Sequence, residues 1–351
     1  MGTCLLLGLS ENRTMVSQAR TVRHNTLLRS HVNVTTRLPD YQPESLITPN
    51  IRPCQLLSST HSNKQTMFPM PVLETVDYTA ADAEQRFVQS LRDTGFGVLR
   101  NHPIAESTVT SIYENWSDFF NGDEKENFLF DAEKYDGFFP RAMAETAKGH
   151  AVRDIKEYYH FYPWGRCPAA LKSELDAYYE STINFAATLL AWVERQTPED
   201  VAKGFREPLS QMINGSDQSL LRVLHYPPIE DDVDPGAIRA GAHEDINLLT
   251  LLPAANEPGL QVKTRDGSWL DVPCDFGNLI INIGDMLQEA SGGYFPSTTH
   301  RVINPEGHDS RRARISLPLF LHPRPDVVLS DRYTAGTYLQ ERLEELRSSD
   351  K

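Results

Sequence analysis

Long hydrophobic runs and paired cysteines are both missing from this sequence of 351 residues. No uncharged apolar run approaches the ~18 residues that a membrane-spanning helix requires. The sequence has only four cysteines and no C-x-x-C pair, a usage typical of thiols in a reducing compartment rather than of a disulfide framework. We therefore expect a cytoplasmic protein that does not span a membrane.

Basic charge is also scarce. Lys and Arg number 34 against 48 Asp and Glu, which gives a formal net charge of −14. Such a balance repels the phosphates of nucleic acids and anionic lipid surfaces. We expect neither a nucleic acid nor a membrane as a partner, and the sequence gives no evidence of an obligate protein partner.

The first 66 residues differ in composition from the remainder of the chain. They carry seven Lys and Arg against three acidic residues, frequent Ser and Thr, and no sustained hydrophobic period. This composition is typical of a disordered extension or of translation from an upstream start codon. An Arg-rich, Ser-rich and acid-poor segment is equally the signature of an organelle transit peptide, which stays open as an alternative. We predict that residues 1–67 form a disordered N-terminal extension.

Two patterns divide the rest of the chain. Residues 68–215 show amphipathic helical periods over 81–92, 109–120 and 169–196, and Gly95 predicts the end of the first helix. From residue 216 to 347 short apolar runs alternate with Gly, Pro and Asp turns, which is typical of a sandwich, jelly roll or barrel. The predicted strands are Leu220–Tyr226, Leu248–Leu252, Leu260–Lys263, Leu279–Ile283, Arg301–Ile303 and Arg314–Leu321. We predict an α+β fold, mainly β, with helices that lie mostly in the N-terminal part.

A cluster of metal-binding residue types lies in the strand-rich part. His243 and Asp245 form an H-x-D motif, and the period of two along a strand predicts that both side chains share one face. His300 follows 57 residues later, at the start of another predicted strand. Two histidines and one carboxylate are the donors of the facial triad that holds non-haem Fe(II), although zinc also uses this set. We predict a metal site formed by His243, Asp245 and His300.

An anion-binding pair follows the triad. Arg314 and Ser316 share one face of a predicted apolar strand, 14 and 16 residues beyond His300. A guanidinium offers two parallel N–H donors that match a carboxylate, and a hydroxyl adds a third hydrogen bond. Because a buried arginine without an anion is costly, we predict that this pair binds the acidic end of a ligand that reaches inward from the metal.

Six sequence blocks in a fixed order resemble one family. They are Arg222–Pro228, Ala242–Leu252, Gly259–Val262, Asn282–Leu287, His300–Val302 and Arg314–Ser316. In this order they resemble the isopenicillin N synthase-like family of Fe(II)/2-oxoglutarate-dependent dioxygenases. Residues 154–157 also resemble that family's D-x-K-E segment, and the similarity extends over about residues 68–347.

The resemblance implies a double-stranded β-helix, or jelly roll, with the metal at its open end. It implies that the two histidines and the aspartate bind Fe(II), and that Arg314 and Ser316 hold the distal carboxylate of 2-oxoglutarate with help from Tyr226. Fe(II), 2-oxoglutarate as cosubstrate and O₂ are therefore the expected cofactors. Leu224 departs from the family, since many members carry Asn at this position.

These observations predict an oxygenase that hydroxylates or desaturates a small organic molecule and releases succinate and CO₂. Two alternative enzyme activities stay open. One is that of an ethylene-forming relative that fragments 2-oxoglutarate, and the other is that of an oxidase that does not use 2-oxoglutarate. An alternative of another class is a non-catalytic jelly-roll protein that binds iron or an organic acid. We interpret His225 as structural, His308 as a solvated loop residue, and the aromatic residues 158–162 as core or as a wall of the substrate pocket.

Overall fold

The computed structural model describes residues 73–144, 154–229, 237–254, 258–305 and 311–349. The predictions for residues 1–67 and for His308 lie outside the described residues. Within these ranges the chain forms seven α-helices and thirteen strands. The helices are α1 (Ala83–Thr94), α2 (Glu106–Asn121), α3 (Ala169–Arg195), α4 (Glu199–Ala202), α5 (Leu209–Met212), α6 (Asp285–Ala290) and α7 (Ala335–Ser349). The strands are β1 (Thr75–Asp77), β2 (Phe96–Arg100), β3 (Gly137–Phe139), β4 (Glu157–Phe161), β5 (Leu220–Tyr226), β6 (Ala240–His243), β7 (Leu249–Pro253), β8 (Leu260–Lys263), β9 (Trp269–Asp271), β10 (Leu279–Ile283), β11 (His300–Val302), β12 (Arg314–Ser316) and β13 (Leu319–Leu321).

The long helices lie where their hydrophobic periods predict them. In α2 the apolar residues Val109, Ile112, Trp116, Phe119 and Phe120 are all buried on one side of the helix. Helix α1 ends at Gly95, whose φ of 76° is left-handed and favours glycine. A Cβ at this position would lie 2.2 Å from Thr298 Oγ1, so the glycine also lets the end of α1 pack against the segment that leads into His300.

One large sheet contains strands from both halves of the sequence. Its strand order is β1-β2-β10-β7-β13-β5-β4-β3, and β12 pairs with β5 as well. Apart from the parallel pair β1 and β2, the neighbouring strands run antiparallel. The N-terminal strands β2 and β4 pair directly with the C-terminal strands β10 and β5. The two sequence regions are therefore joined by a continuous hydrogen-bonded sheet.

The large sheet is covered on both faces. Alternate residues of its strands, such as Leu221, Val223, Leu279 and Ile281, belong to the main core with helices α1, α2 and α3. The residues between them lie on the opposite face, which we call the inner face. It includes Phe96, Val98 and Ile280, which pack against residues of a second sheet. Burial on two faces explains why β10 has apolar residues at four of its five positions rather than an alternating pattern.

The second sheet has four strands in the order β6-β11-β8-β9. Its buried residues Ala240, Val262 and Val302 contact the inner face of the large sheet. Two facing sheets of mainly antiparallel strands with helices packed outside form the jelly roll, and the predicted α+β fold class is confirmed. No helix within the described ranges is both long enough and apolar enough to cross a membrane.

The predicted strand bounds agree with the structure for three strands, differ by one residue for β7 and β11, and fail for the last predicted strand. The predicted bounds of β5, β8 and β10 agree with the structure. The single strand predicted over Arg314–Leu321 is wrong, because the chain forms β12 and β13 with Pro318 between them. Proline has no N–H for the ladder, and here its carbonyl accepts the Arg222 N–H at 3.0 Å.

Candidate metal centre

Two histidines and one carboxylate converge between the two sheets. His243 ends β6 and His300 begins β11, and the two residues are directly opposite each other in the small sheet. Ligand atoms of His243, Asp245 and His300 all lie within 4.8 Å of one another. The structure thus brings together all three side chains that the sequence singles out for a metal.

Asp245 reaches this position by a route that the sequence did not predict. The expectation that one strand holds both His243 and Asp245 is wrong, because β6 ends at His243. The chain leaves the small sheet there, and the Asp245 carbonyl accepts a hydrogen bond from the Asp285 N–H at 2.8 Å. The carboxylate is then held from the large sheet rather than by strand alternation.

Both imidazole rings are oriented by backbone carbonyls. His243 Nδ1 lies 2.7 Å from the Gly241 carbonyl oxygen, and His300 Nδ1 lies 3.1 Å from that of Thr298. A carbonyl only accepts, so each Nδ1 carries the proton and each Nε2 keeps its lone pair for a metal. The ring of His300 also packs edge-on against Phe96, with 5.5 Å between centroids.

The Asp245 carboxylate is fixed by two buried side chains of the large sheet. Its Oδ2 accepts hydrogen bonds from Thr250 Oγ1 at 2.5 Å and from Asn282 Nδ2 at 2.8 Å. Thr250 in turn accepts from Asn247 Nδ2 at 2.8 Å, which directs the hydroxyl proton towards Asp245. These three residues lie in blocks that resemble the family, but no sequence pattern indicates their contacts with Asp245.

The hydrogen bonds and the histidines keep Asp245 ionised. Burial acts to raise the pKa of this carboxyl, but interactions with the His300 and His243 rings and the bonds from Asn282 and Thr250 outweigh it, and the pKa is lowered. Oδ2 accepts from the two donors and lies 3.9 Å from His300 Nε2, whereas Oδ1 lies 3.8 Å from His243 Nε2. Because Oδ2 already accepts two hydrogen bonds, Oδ1 is the oxygen with more lone-pair capacity left for a metal.

The donor set fits one divalent ion. Two atoms bonded to one metal at about 2.1 Å lie at most about 4.2 Å apart. His243 Nε2 lies 3.8 Å from Asp245 Oδ1, and His300 Nε2 lies 3.9 Å from Asp245 Oδ2. The side chain of His243 is 44% exposed, whereas those of Asp245 and His300 are 5% and 9% exposed. The centre is therefore anchored inside the protein and opens on the side of His243.

The predicted anion-binding residues lie on the inner face of the large sheet. In the pairing of β12 with β5, Arg314 is opposite Tyr226 and Ser316 is opposite Leu224. All four side chains are buried, and the Arg314 guanidinium carbon lies 5.9 Å from the centroid of the Tyr226 ring. A guanidinium, a hydroxyl and a phenol thus lie on the same face of the large sheet as Thr250 and Asn282, which hold Asp245.

A second buried arginine beside Tyr226 was missed from the sequence. Arg239 is fully buried, and its guanidinium carbon lies 5.8 Å from the centroid of the Tyr226 ring. Its Nη2 donates to the Arg312 carbonyl at 3.1 Å. Its place in the turn before β6 resembles that of a surface residue, so the sequence alone offered no signal. The arginine adds positive charge next to the predicted carboxylate site.

The remaining histidines of interest lie elsewhere. His225 Nδ1 is 2.7 Å from Glu157 Oε1, and its ring stacks on Phe120 of α2 at 5.1 Å. The structural interpretation of His225 is confirmed. His160 lies on the inner face near Arg222, outside the three-residue metal cluster.

Two histidines and a carboxylate lie between the sheets of a jelly roll, with buried arginine nearby. This arrangement is typical of a non-haem metal-dependent oxygenase. Comparison with known proteins agrees with this class. Residues 217–323 match the 2OG-Fe(II) oxygenase superfamily, and residues 71–177 match the family described as the non-haem dioxygenase in morphine synthesis N-terminal region.

Solved structures specify the relationship further. An oxygenase structure from Shewanella oneidensis is 61% identical in sequence, with a TM-score of 0.73 over 79% of this chain and 99% of that chain. A 2OG-Fe(II) oxygenase family protein from Caulobacter crescentus is 32% identical, with a TM-score of 0.65 over 78% of this chain and 99% of that one. Among curated proteins, gibberellin 2-beta-dioxygenase 3 of Arabidopsis thaliana is 25% identical over 283 residues, 78% of this chain and 82% of its own length.

The chain belongs to the 2OG-Fe(II) oxygenase superfamily. It is an enzyme, a dioxygenase that depends on Fe(II) and 2-oxoglutarate and oxidises small molecules. The predictions of family, enzyme class and cofactors are confirmed, and the non-catalytic alternative is wrong. Iron rather than zinc is the metal of this family.

Proposed function

We propose that His243, Asp245 and His300 are the ligands of Fe(II) in this oxygenase. The observation that carries the proposal is the convergence of three donors whose other atoms are already engaged: both Nδ1 atoms by carbonyls and Asp245 Oδ2 by two side chains. Three protein ligands on one side of an ion leave coordination sites for 2-oxoglutarate and O₂.

We further propose that Arg314, Ser316 and Tyr226 bind the distal carboxylate of 2-oxoglutarate. Arg314 supplies charge-assisted hydrogen bonds, and the hydroxyls of Ser316 and Tyr226 complete the contact on the same inner face. Arg239 contributes positive charge from behind Tyr226. Leu224, where many members of the family carry Asn, leaves an apolar surface between these groups.

When bound, Fe(II) with O₂ supplies the oxidising chemistry, in which 2-oxoglutarate loses CO₂ and becomes succinate while the substrate is hydroxylated or desaturated. The chain itself contributes orientation and exclusion of water. The carbonyls of Gly241 and Thr298 hold the imidazoles, and Thr250 and Asn282 hold the carboxylate. Because the proposed cofactor site lies between two packed sheets, solvent has limited access to the reacting atoms.

The proposal includes the organisation of the chain. Residues 68–215 form the helical N-terminal region and residues 216–347 the jelly-roll region that carries all six proposed ligand residues. The pairing of β4 with β5 and of β2 with β10 supports their action as one unit. A cytoplasmic location stays a prediction from cysteine usage.

Anaerobic reconstitution with Fe(II) and 2-oxoglutarate tests the assignment. We expect a metal-to-ligand charge-transfer absorption band in the intact protein. It should vanish in His300→Ala, weaken in Arg314→Ala, and persist in the control His102→Ala, whose imidazole binds the Gly277 carbonyl instead. A band that survives in His300→Ala would contradict the ligand assignment.

A further inference from the structure

One of the three proposed metal ligands depends on hydrogen bonding more than the other two. The side chain of His243 is 44% exposed, whereas those of Asp245 and His300 are 5% and 9% exposed. Packing therefore restrains the ring of His243 less than it restrains the other two donors. The hydrogen bond of 2.7 Å between His243 Nδ1 and the Gly241 carbonyl oxygen then sets the direction of the Nε2 lone pair.

The backbone that carries this carbonyl lies in a β-bulge of the small sheet. β6 is an edge strand of that sheet, and its pairing with β11 shifts register between the residues opposite His300 and Val302. Gly241 and Ala242 therefore lie opposite the single residue Arg301. A bulge interrupts the ladder of hydrogen bonds that holds a regular strand, so the direction of the Gly241 carbonyl needs another support.

The segment that leads into β4 supplies this support. The Ile155 N–H donates to the Ile238 carbonyl oxygen at 3.0 Å, just before β6 begins. Asp154 Oδ1 accepts a hydrogen bond from the Gly241 N–H, also at 3.0 Å. The segment continues directly into Glu157, the first residue of β4, which pairs with β5. The bulge in the small sheet is therefore tied to the large sheet.

A buried lysine stabilises the Asp154 carboxylate that accepts this bond. Lys156 Nζ lies 2.9 Å from Asp154 Oδ2, and the two side chains are 6% and 7% exposed. A buried carboxylate without a counter-ion is costly, so the ammonium group stabilises this charge inside the protein. With one oxygen at Lys156 and the other at the Gly241 N–H, the carboxylate has a fixed direction.

We propose that Asp154 and Lys156 are positioning residues of the metal centre. Their ion pair holds the bulge at Gly241, and the Gly241 carbonyl holds the imidazole of His243 with its Nε2 towards the metal. This inference rests on the proposed Fe(II) centre. It gives the buried ion pair a role in metal binding that lies beyond the stability of the fold.

The first test is the affinity for Fe(II), measured by anaerobic calorimetric titration. Asp154→Asn keeps the size of the side chain but replaces one of the two accepting oxygens by an NH₂ donor. Because Asp154 acts on His243 through the backbone, we expect Fe(II) binding to weaken by about 10-fold, the lower end of the range for residues that support a metal ligand. An affinity equal to that of the wild type would overturn the proposal.

Asp136 provides a matched control. Its side chain is also buried, with one carboxylate oxygen 2.6 Å from the Arg166 backbone nitrogen and the other 2.9 Å from Arg166 Nη2. It precedes β3, an end strand of the large sheet. Asp136→Asn should lose stability and keep its Fe(II) affinity. An equal loss of affinity in both aspartate variants would contradict a specific role for Asp154.

Substitutions of Lys156 test the contribution of its charge. Lys156→Met removes the ammonium group and should weaken Fe(II) binding as Asp154→Asn does. Lys156→Arg keeps a cation beside Asp154 and should retain most of the affinity. A methionine variant that binds Fe(II) as tightly as the wild type would overturn the role of Lys156.

Proton NMR of the Co(II)-loaded protein gives a readout that a general loss of stability would not change. Each metal-bound imidazole keeps its Nδ1 proton, which gives a hyperfine-shifted signal that exchanges with water. Asp154→Asn should speed this exchange for His243 and leave it unchanged for His300, whose Nδ1 lies at the Thr298 carbonyl. Phe96→Leu assigns the two signals, because Phe96 packs against the ring of His300.

The wild-type spectrum separates this inference from the proposed centre. If the wild type shows fewer than two such signals, the assignment of both histidines as ligands fails, and this inference fails with it. If the wild type shows both signals but Asp154→Asn changes neither, or speeds both equally, the inference is wrong and the ligand assignment stands. Selective acceleration of the His243 signal is the result that we expect.

Discussion

Substitution of Thr250 by valine tests whether the support of Asp245 is needed for metal binding. The change keeps the shape of the side chain but removes the hydroxyl that donates to Asp245 Oδ2 at 2.5 Å and accepts from Asn247 at 2.8 Å. Oδ2 then retains only the bond from Asn282. The carboxylate becomes free to rotate, and Oδ1 loses its fixed direction towards the metal.

The size of the effect follows from these contacts. A hydrogen bond to a charged group contributes about 1.5–3 kcal/mol, and the Asn247 amide is left without its acceptor. Loss of a group that orients a metal ligand typically weakens metal affinity by about 10- to 100-fold. We expect Thr250→Val to bind Fe(II) more weakly by that factor and to unfold at a lower temperature in the metal-free state.

Anaerobic titration with Fe(II), followed by calorimetry, measures the affinity. The matched control is Thr182→Val, because Thr182 is also fully buried and its hydroxyl donates to the Tyr178 carbonyl at 2.8 Å within α3. The control should lose stability but keep its Fe(II) affinity. Unchanged affinity in Thr250→Val, or an equal loss in both variants, would refute the reasoning.

Three further changes probe other parts of the account. Gly284→Ala places a Cβ 2.1 Å from Asn247 Oδ1, so it should lower the free energy of unfolding by about 1–3 kcal/mol and also weaken Fe(II) binding. Chemical denaturation and Fe(II) titration measure the two effects, and a variant as stable as the wild type would contradict the close packing at Gly284. Burial raises the pKa of Cys167 to about 12, so this thiol should react slowly with iodoacetamide at pH 8. Mass-spectrometric mapping measures the rate, and rapid labelling would contradict the shielded position of Cys167. His225→Leu leaves Glu157 without its 2.7 Å partner and should destabilise the fold by roughly 1–3 kcal/mol, yet the charge-transfer band should persist because His225 faces the helices.

The sequence predicts the three proposed metal ligands but not the contacts that support them. His243, Asp245 and His300 are recognisable because few residue types bind metals and because their order resembles a family. Thr250 and Asn282 are ordinary polar residues in apolar strands, and their contact with Asp245 depends on the register that pairs β7 with β10. When two paired strands are distant in sequence, neither strand's own residues indicate which partner it will have or in which register.

Elements bounded by turn residues are predictable for a physical reason. Gly95 ends α1 because its backbone must adopt a left-handed conformation, and that requirement can be read from the sequence. The end of β6 at His243 has no such marker in the sequence, and beyond it the Asp245 carbonyl accepts a hydrogen bond from the Asp285 N–H, a residue distant in sequence.

The most direct test of the central claim is an anomalous difference map, recorded at the iron absorption edge, from crystals grown anaerobically with Fe(II). We expect one strong peak between the sheets, bonded at about 2.1 Å to His243 Nε2, Asp245 Oδ1 and His300 Nε2. A peak at another place, or one that any of these three atoms fails to reach, would contradict the metal centre.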